Sequence, residues 1–272
     1  MKVAAIQMVS SSSVAANCAA ARRLLAQAAA RGAELAVLPE YFCLMGFQDT
    51  DKLKVAEQPG QGMLQDFLAR CAREFSLWIA GGTLPLETGQ PGEEGTRVYN
   101  SALVYAPTGQ RVARYDKMHL FRFVDSQHTF DETRVLRPGT KPVTFDLPSV
   151  DGNIYRVGLS ICYDLRFPEL YRKLKADLLL VPSAFTFVTG LAHWEVLLRA
   201  RAIENLAYVL AAAQGGLHEN GRRTWGHSLV VDCWGRIMAE QDEGEGVVMA
   251  ELEKPNLDAE RLRLPALSHG VL

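Results

Sequence analysis

Hydrophobic and polar positions along the chain switch between two patterns. Short apolar runs, rich in Val, Ile, Leu and Ala, predict strands at 2–8, 34–38, 77–84, 99–105 and 111–116. A second series follows at 155–161, 177–181, 207–213, 227–232 and 246–252. Between them, helical periodicity predicts helices over 14–31, 62–75, 167–175 and 192–206. In the second of these, Leu64, Phe67, Leu68 and Cys71 recur at i, i+3, i+4 and i+7. Gly32 ends the first helix, and Pro168 suits the first turn of another because its missing N–H is an orphan there. The stretch 87–97 is rich in Gly, Glu and Pro and predicts an exposed hairpin loop. Residues 118–142 have no clean period, and a connection of that length in a compact domain is often functional.

Strands alternating with helices predict an α/β or α+β fold. Two segments echo each other. Glu34-Leu35-Ala36-Val37-Leu38-Pro39 and Asp177-Leu178-Leu179-Leu180-Val181-Pro182 share one acid-Leu-apolar-Pro form, and each follows a helix, a sign of two related halves. No linker rich in Pro, Gly or Ser divides the chain. The expectation is one domain over 1–272, with 254–272, polar and without a period, as a C-terminal arm.

Composition narrows the function. Of 272 residues, 48% are apolar, and Lys+Arg 29 against Asp+Glu 31 leaves a net charge of −2. With no basic excess to neutralise phosphates, nucleic acid is not an expected partner. No apolar run is long enough to span a bilayer, so no membrane role is expected. The N-terminal apolar stretch reads as a strand rather than a signal peptide. Cys18, Cys43, Cys71, Cys162 and Cys233 are odd in number and scattered, with no C-x-x-C pair. They predict free thiols in a reducing, cytoplasmic setting and no metal site. A P-loop, a G-x-G-x-x-G and an H-E-x-x-H are all absent, so the chemistry is expected to need no cofactor.

Three residues stand where chemistry is usually placed. Cys162 lies where the run Val157-Gly158-Leu159-Ser160-Ile161 gives way to a polar turn and a helix start. A thiol there sits near backbone N–H groups that stabilise a thiolate or an oxyanion. Glu40 follows Pro39 at the end of a core strand, where open α/β sheets hold ligands and partial burial makes a carboxylate a base. Lys117 ends another strand and offers fixed positive charge. A Cys with a separate acid and no paired His is not the papain arrangement, and no G-x-S-x-G marks a nucleophile elbow.

Taken together, these segments resemble the nitrilase superfamily of carbon–nitrogen hydrolases over nearly the whole chain. The likeness is carried by Lys2–Met8, by Leu38-Pro39-Glu40, by Tyr115-Asp116-Lys117-Met118-His119-Leu120-Phe121 and by the run from Gly158 through Cys162 to Glu169. Val181–Phe185, His193-Trp194, Arg199–Asn205 and Gly226–Asp232 extend it. The resemblance implies an α-β-β-α sandwich with two sheets face to face, built from two similar halves, and a homodimer or larger assembly. It implies catalytic roles for Glu40, Lys117 and Cys162. Glu132, in Phe130-Asp131-Glu132-Thr133, matches a second glutamate that the amidase branch carries in a Phe-x-Glu-Ser segment, with Thr here in place of Ser.

The implied activity is hydrolysis of a small carboxylate-bearing amide through a cysteine thioester, releasing ammonia and an acid, as in ω-amidases and deaminated-glutathione amidases. N-carbamoyl amine hydrolysis and nitrile hydrolysis are the rival activities, although Cys162-Tyr163-Asp164 departs from the Cys-Trp-Glu of true nitrilases. An inactive interaction module is the rival of another class; it predicts loss of Glu40, Lys117 or Cys162, and all three are present. In this scheme the backbone N–H of Tyr163 and the Lys117 ammonium meet the oxyanion and lower the thiol pKa. Arg122, Arg222 and Arg223 are candidates for a substrate carboxylate, since Arg matches it bidentately. Phe185 and Trp225 are candidate pocket walls, though core packing explains both. Arg166 and Glu169 read as braces of the nucleophile turn, and His193 and His227 as hydrogen-bonded supports.

Overall fold

Alternation along the strands decides how the layers stack. The computed structural model describes residues 1–90, 92, 95–124 and 129–271. In β1 (Lys2–Gln7), Val3 and Ala5 face one side and Ala4 and Ile6 the other, and both sides are buried. The first pair joins a core shared with the second sheet. The second pair packs beneath α1 (Val14–Ala30) and α3 (Met63–Phe75), through Leu24, Leu25, Phe67 and Leu68. A strand buried on both faces carries no polar alternation, which is why the sequence shows unbroken apolar runs there.

The first sheet contains β1, β2 (Leu35–Val37), β3 (Trp78–Ala80), β4 (Leu84–Glu87), β5 (Val98–Tyr105) and β6 (Arg111–Asp116). β1, β2 and β3 are parallel, and the others run antiparallel to their neighbours. A short α2 (Asp51–Lys54) lies between β2 and α3. The second sheet begins with β9 (Thr144–Pro148), after the hairpin β7 (Arg122–Val124) and β8 (Thr129–Asp131). It continues through β10 (Ile154–Leu159), β11 (Leu178–Leu180) and β12 (Tyr208–Ala211), which are parallel. α4 (Pro168–Leu174) and α5 (Phe187–Asn205) make the crossovers and cover its outer face with Leu170, Tyr171, Trp194 and Leu198. A hairpin of β13 (Gly215–Leu217) and β14 (Arg223–Trp225) precedes β15 (Ser228–Val231) and β16 (Ile237–Gln241). β17 (Gly246–Glu251) returns to the first sheet beside β1. The result is the α-β-β-α sandwich that the resemblance implies, with two β-α-β-α-β units, β1 to β3 and β10 to β12, in corresponding places.

Several sequence expectations shift. The strand expected over 77–84 is two strands, because Gly81 and Gly82 interrupt it and Gly82 has φ +55°. The helix expected from 192 begins at Phe187, capped by Thr186, whose side chain accepts from the Thr189 N–H. Residues 118–142 hold β7, β8 and a 3₁₀ turn at Glu132–Arg134, with 125–128 outside the described residues. Of the loop expected at 87–97, residues 91, 93 and 94 also lie outside them. The stretch read as an arm opens with α6 (Lys254–Arg263). That helix buries only Leu257 and is otherwise held by polar contacts such as Arg261 to Asp177 at 2.5 Å, so it has no apolar stripe to read.

Candidate active site

The cavity forms where chain leaves the carboxyl ends of strands in both halves, the usual ligand position in α/β sheets. Glu40 lies just beyond β2 and is 1% exposed. Its Oε1 accepts from Asn100 Nδ2 at 2.9 Å and from Lys117 Nζ at 2.9 Å, and its Oε2 accepts from the Ala184 N–H at 3.0 Å. Lys117 is one residue past β6 and is also 1% exposed. Its backbone N–H donates to the Asn100 carbonyl at 2.9 Å, and its Nζ also donates to Glu132 at 2.9 Å. Glu132 opens the 3₁₀ turn and accepts from Tyr41 Oη at 2.8 Å and the Phe121 N–H at 2.7 Å. One ammonium thus lies between two carboxylates, away from water.

The charges hold one another in place. Burial alone pushes the Lys117 ammonium toward neutrality, but the Glu132 and Glu40 carboxylates outweigh it and set its pKa well above the ordinary lysine value. Burial likewise pushes Glu132 up, and Lys117 with the Phe121 amide outweighs this and holds it below the ordinary carboxylate value. Tyr41 is kept protonated by burial and by the two carboxylates, so it remains a donor.

Cys162 ends the run that leaves β10. Ile161 is extended, and Cys162 then turns to φ +49°, an uncommon conformation for a residue with a Cβ. Its N–H donates to the Pro182 carbonyl at 3.0 Å, and a 3₁₀ turn over Cys162–Arg166 begins. The sequence lacks the glycine motif of a nucleophile elbow, yet the structure has a strained strand-to-helix turn at this residue. The thiol shares a cavity with Glu40, Lys117 and Glu132. Burial and the Glu40 charge push its pKa well above the ordinary thiol value, and Lys117 offsets only part of this. The expectation of a lowered thiol pKa is therefore reversed: burial and the Glu40 charge favour the protonated sulfur.

The remaining sequence candidates divide. Tyr163, Phe185 and Arg222 line the cavity. Tyr163 is in the first turn of the 3₁₀ segment, where backbone N–H groups have no partner within the helix. Arg122 is exposed on β7 and does not line the cavity. Arg223 lies over the Phe187 ring at 3.9 Å, pairs with Glu243 at 2.6 Å and is likewise outside the lining. Trp225 stacks on His227 at 4.3 Å instead of walling the cavity. Glu169 is exposed in the first turn of α4. Arg166, read as a turn brace, lines the cavity; its guanidinium is over the Tyr163 and Phe185 rings and 3.3 Å from His193 Nδ1.

Sequence reasoning missed Tyr41, Asn100 and the Ala184 amide. Asn100 had a signal, since it is a polar residue inside the apolar run of β5 and a buried polar group needs a partner. Among the described residues, His227, Glu240 and Asp242 have spacing compatible with a metal ion, but none of the three lines this cavity.

The fold and this cavity define a class, and comparison with known proteins agrees. The family model described as carbon-nitrogen hydrolase matches residues 2–261, and the chain belongs to that family of enzymes. Within it, the chain is similar to a deaminated glutathione amidase of Synechocystis, 43% identical over 98% of this chain and 97% of that one. It is also similar to the deaminated glutathione amidase of Mus musculus, 40% identical over 98% of this chain and 82% of the relative. Among solved structures, Saccharomyces cerevisiae Nit3, a member of branch 10 of the nitrilase superfamily, superposes with a TM-score of 0.84 at 31% identity, covering 97% of this chain and 94% of that one.

Proposed function

We propose that this carbon-nitrogen hydrolase cleaves an amide C–N bond of a small carboxylate-bearing substrate through a thioester on Cys162. The observation that carries this reading is the convergence of Glu40, Lys117, Glu132 and the Cys162 thiol on one cavity. Glu40 takes the thiol proton as sulfur attacks the carbonyl carbon. This suits a sulfur that is neutral at rest and becomes anionic only during attack. The charge that develops on the carbonyl oxygen is met by Lys117 and the Tyr163 N–H; loss of one such donor typically costs about 10²–10³ in rate. The C–N bond then breaks, and Glu40 passes its proton to the leaving amine. Water, deprotonated by Glu40, attacks the thioester carbonyl; the C–S bond breaks, the acid departs, and the proton returns to sulfur. Glu132 holds the Lys117 ammonium in place and offers an oxygen to a substrate N–H.

A carboxylate on the substrate is supported by the relatives named for deaminated glutathione and by two guanidiniums. Arg166 and Arg222 line the cavity, and neither pairs with a carboxylate among the described residues. Purified enzyme given a panel of amides, ureides and nitriles should form acid and amine fastest from amides that carry a carboxylate. Cys162→Ala should stay folded by circular dichroism and lose turnover; turnover at the normal rate in that variant refutes the thioester.

Residues 1–272 act as one catalytic domain in this reading, because each half supplies part of the cavity. Val188, Leu191, Val196 and Ile203 are exposed apolar side chains on α5, which supports a homodimer. Light scattering after size exclusion should give twice the chain mass of 30.0 kDa, and a monomer at micromolar concentration refutes the pairing. Free cysteines fit a cytoplasmic setting, and no helix among the described residues is long and apolar enough to cross a membrane.

A further inference from the structure

We infer that Asp164 is a positioning residue that locks the Lys117 segment to the Cys162 turn and so sets the spacing of ammonium and sulfur. The inference rests on the reading of Cys162 as nucleophile. Asp164 is 0% exposed, two residues after Cys162 in the 3₁₀ turn. Its Oδ2 accepts from Tyr115 Oη at 2.7 Å and from the Ile161 N–H at 2.8 Å. Its Oδ1 accepts from the His119 N–H at 3.0 Å and lies 2.6 Å from His119 Nδ1. A carboxylate has about four lone-pair sites, and all are used here.

The pattern of donors matters more than their number. Tyr115 and His119 flank Lys117 at two residues on either side, and Ile161 directly precedes Cys162. One buried carboxylate therefore closes a bridge between two distant segments, each carrying a reacting group. Tyr115 is buried, and burial with the nearby Asp164 charge keeps its phenol protonated, so this donor is permanent. The Nδ1 of His119 faces an acceptor-only group and therefore carries its proton there. The His119 ring is stacked on Phe167 at 3.7 Å and 8°, which fixes its plane. At the far end of the bridge, Cys162 stands at φ +49°, a conformation that needs its surroundings to hold it.

A residue that only supports the fold would lower stability and leave the chemistry of each folded molecule unchanged. A positioning residue alters that chemistry. Asp164→Asn keeps the volume and one acceptor oxygen but turns the other side of the carboxylate into a donor facing donors. The expected result is a fall in kcat of about 10- to 100-fold with KM within about twofold, since a small misplacement of reacting groups costs rate rather than binding. Alkylation of Cys162 by iodoacetamide, followed by mass spectrometry of its peptide and expressed per folded molecule, should slow with it. A folded variant with wild-type kcat and wild-type alkylation rate overturns the inference, as does a rise in KM with kcat unchanged.

Should Asp164→Asn not fold, Tyr115→Phe and His119→Phe each remove side-chain donation to the same carboxylate. Each should slow both readouts, and wild-type values in both variants overturn the inference. Cys162→Ala run in parallel separates the two ideas. If it retains turnover, the nucleophile reading fails, whereas the alkylation rates, which need no substrate, still decide whether Asp164 sets the environment of the thiol.

Discussion

At Lys117 the cost and the use of a buried charge are easiest to weigh. Its ammonium neutralises one of two carboxylates that touch it, Glu40 and Glu132. Removing one partner from a buried ionic cluster costs about 3–5 kcal/mol, because the remaining charges stay unpaired. Lys117→Met keeps most of the side-chain volume and leaves Glu40 and Glu132 facing each other. It should lower stability by that amount in urea titrations at neutral pH and abolish turnover. Lowering the pH toward the carboxylate range should recover part of the stability, since one of the two acids then takes a proton. Equal losses at both pH values would show that the carboxylates are not the groups Lys117 compensates.

Elements determine where these residues stand. The Glu40 segment runs from β2 past the gap between β3 and β4, where Gly82 has φ +55° and a Cβ would come 2.1 Å from the Pro39 carbonyl oxygen. A side chain at Gly82 cannot be accommodated without moving the backbone that carries Glu40. Gly82→Ala should therefore cost more than the roughly 1 kcal/mol typical of a change confined to backbone entropy, and should lower kcat as Glu40 leaves Asn100 and Ala184. Urea unfolding and steady-state rates measure both; a loss of stability with kcat intact would separate the Gly82 contact from the site. The corresponding constraint in the second half is the Cys162 turn, where the strained conformation falls on the proposed nucleophile.

The whole molecule is held together near its cavity by polar contacts between its halves. Gln214 Nε2 donates to Ser10 Oγ at 2.8 Å and to the Glu40 carbonyl at 3.1 Å, and the Ala184 N–H reaches the Glu40 carboxylate. His218 belongs to the same seam. It is 3% exposed, with Nδ1 2.8 Å from the Ser10 carbonyl and Nε2 2.8 Å from Thr224 Oγ1. A carbonyl only accepts, so Nδ1 carries the proton and Nε2 accepts from the Thr224 hydroxyl. Burial lowers the His218 pKa, and the Ser10 carbonyl restores only part. An unfolded chain binds that proton near the ordinary value of about 6.5. The contribution of His218 to stability is thus complete above that pH and is lost as the pH falls through the lower folded value. The melting temperature should drop between pH 8 and pH 5 (about 1.5 units either side of the free value), and His218→Asn should shrink the drop; an unchanged drop assigns it to other groups.

Much of this arrangement was legible in the chain. Both sets of parallel strands are written as apolar runs, and Leu38-Pro39-Glu40 and Ile161-Cys162-Tyr163 show where each run stops. What stayed hidden has physical causes. Hairpin strands such as β7 (Arg-Phe-Val) and β13 (Gly-Gly-Leu) are only three residues long, too short to display a burial pattern. Arg166 and Arg122 look alike in a sequence, and only the turn after Cys162 carries one of them into the cavity. The direction of the thiol pKa was misread because position alone reveals nearby amides and a lysine, whereas the depth of burial is a property of the finished core.

That neutral, enclosed sulfur has a consequence for how the protein withstands oxidative stress. Peroxide converts cysteine to sulfenic acid through the thiolate, and accessible low-pKa thiols are the ones consumed first. A thiol whose pKa burial holds well above the ordinary value leaves little anion standing idle. Little of the Cys162 thiol is then open to that chemistry while the cavity stands empty of substrate.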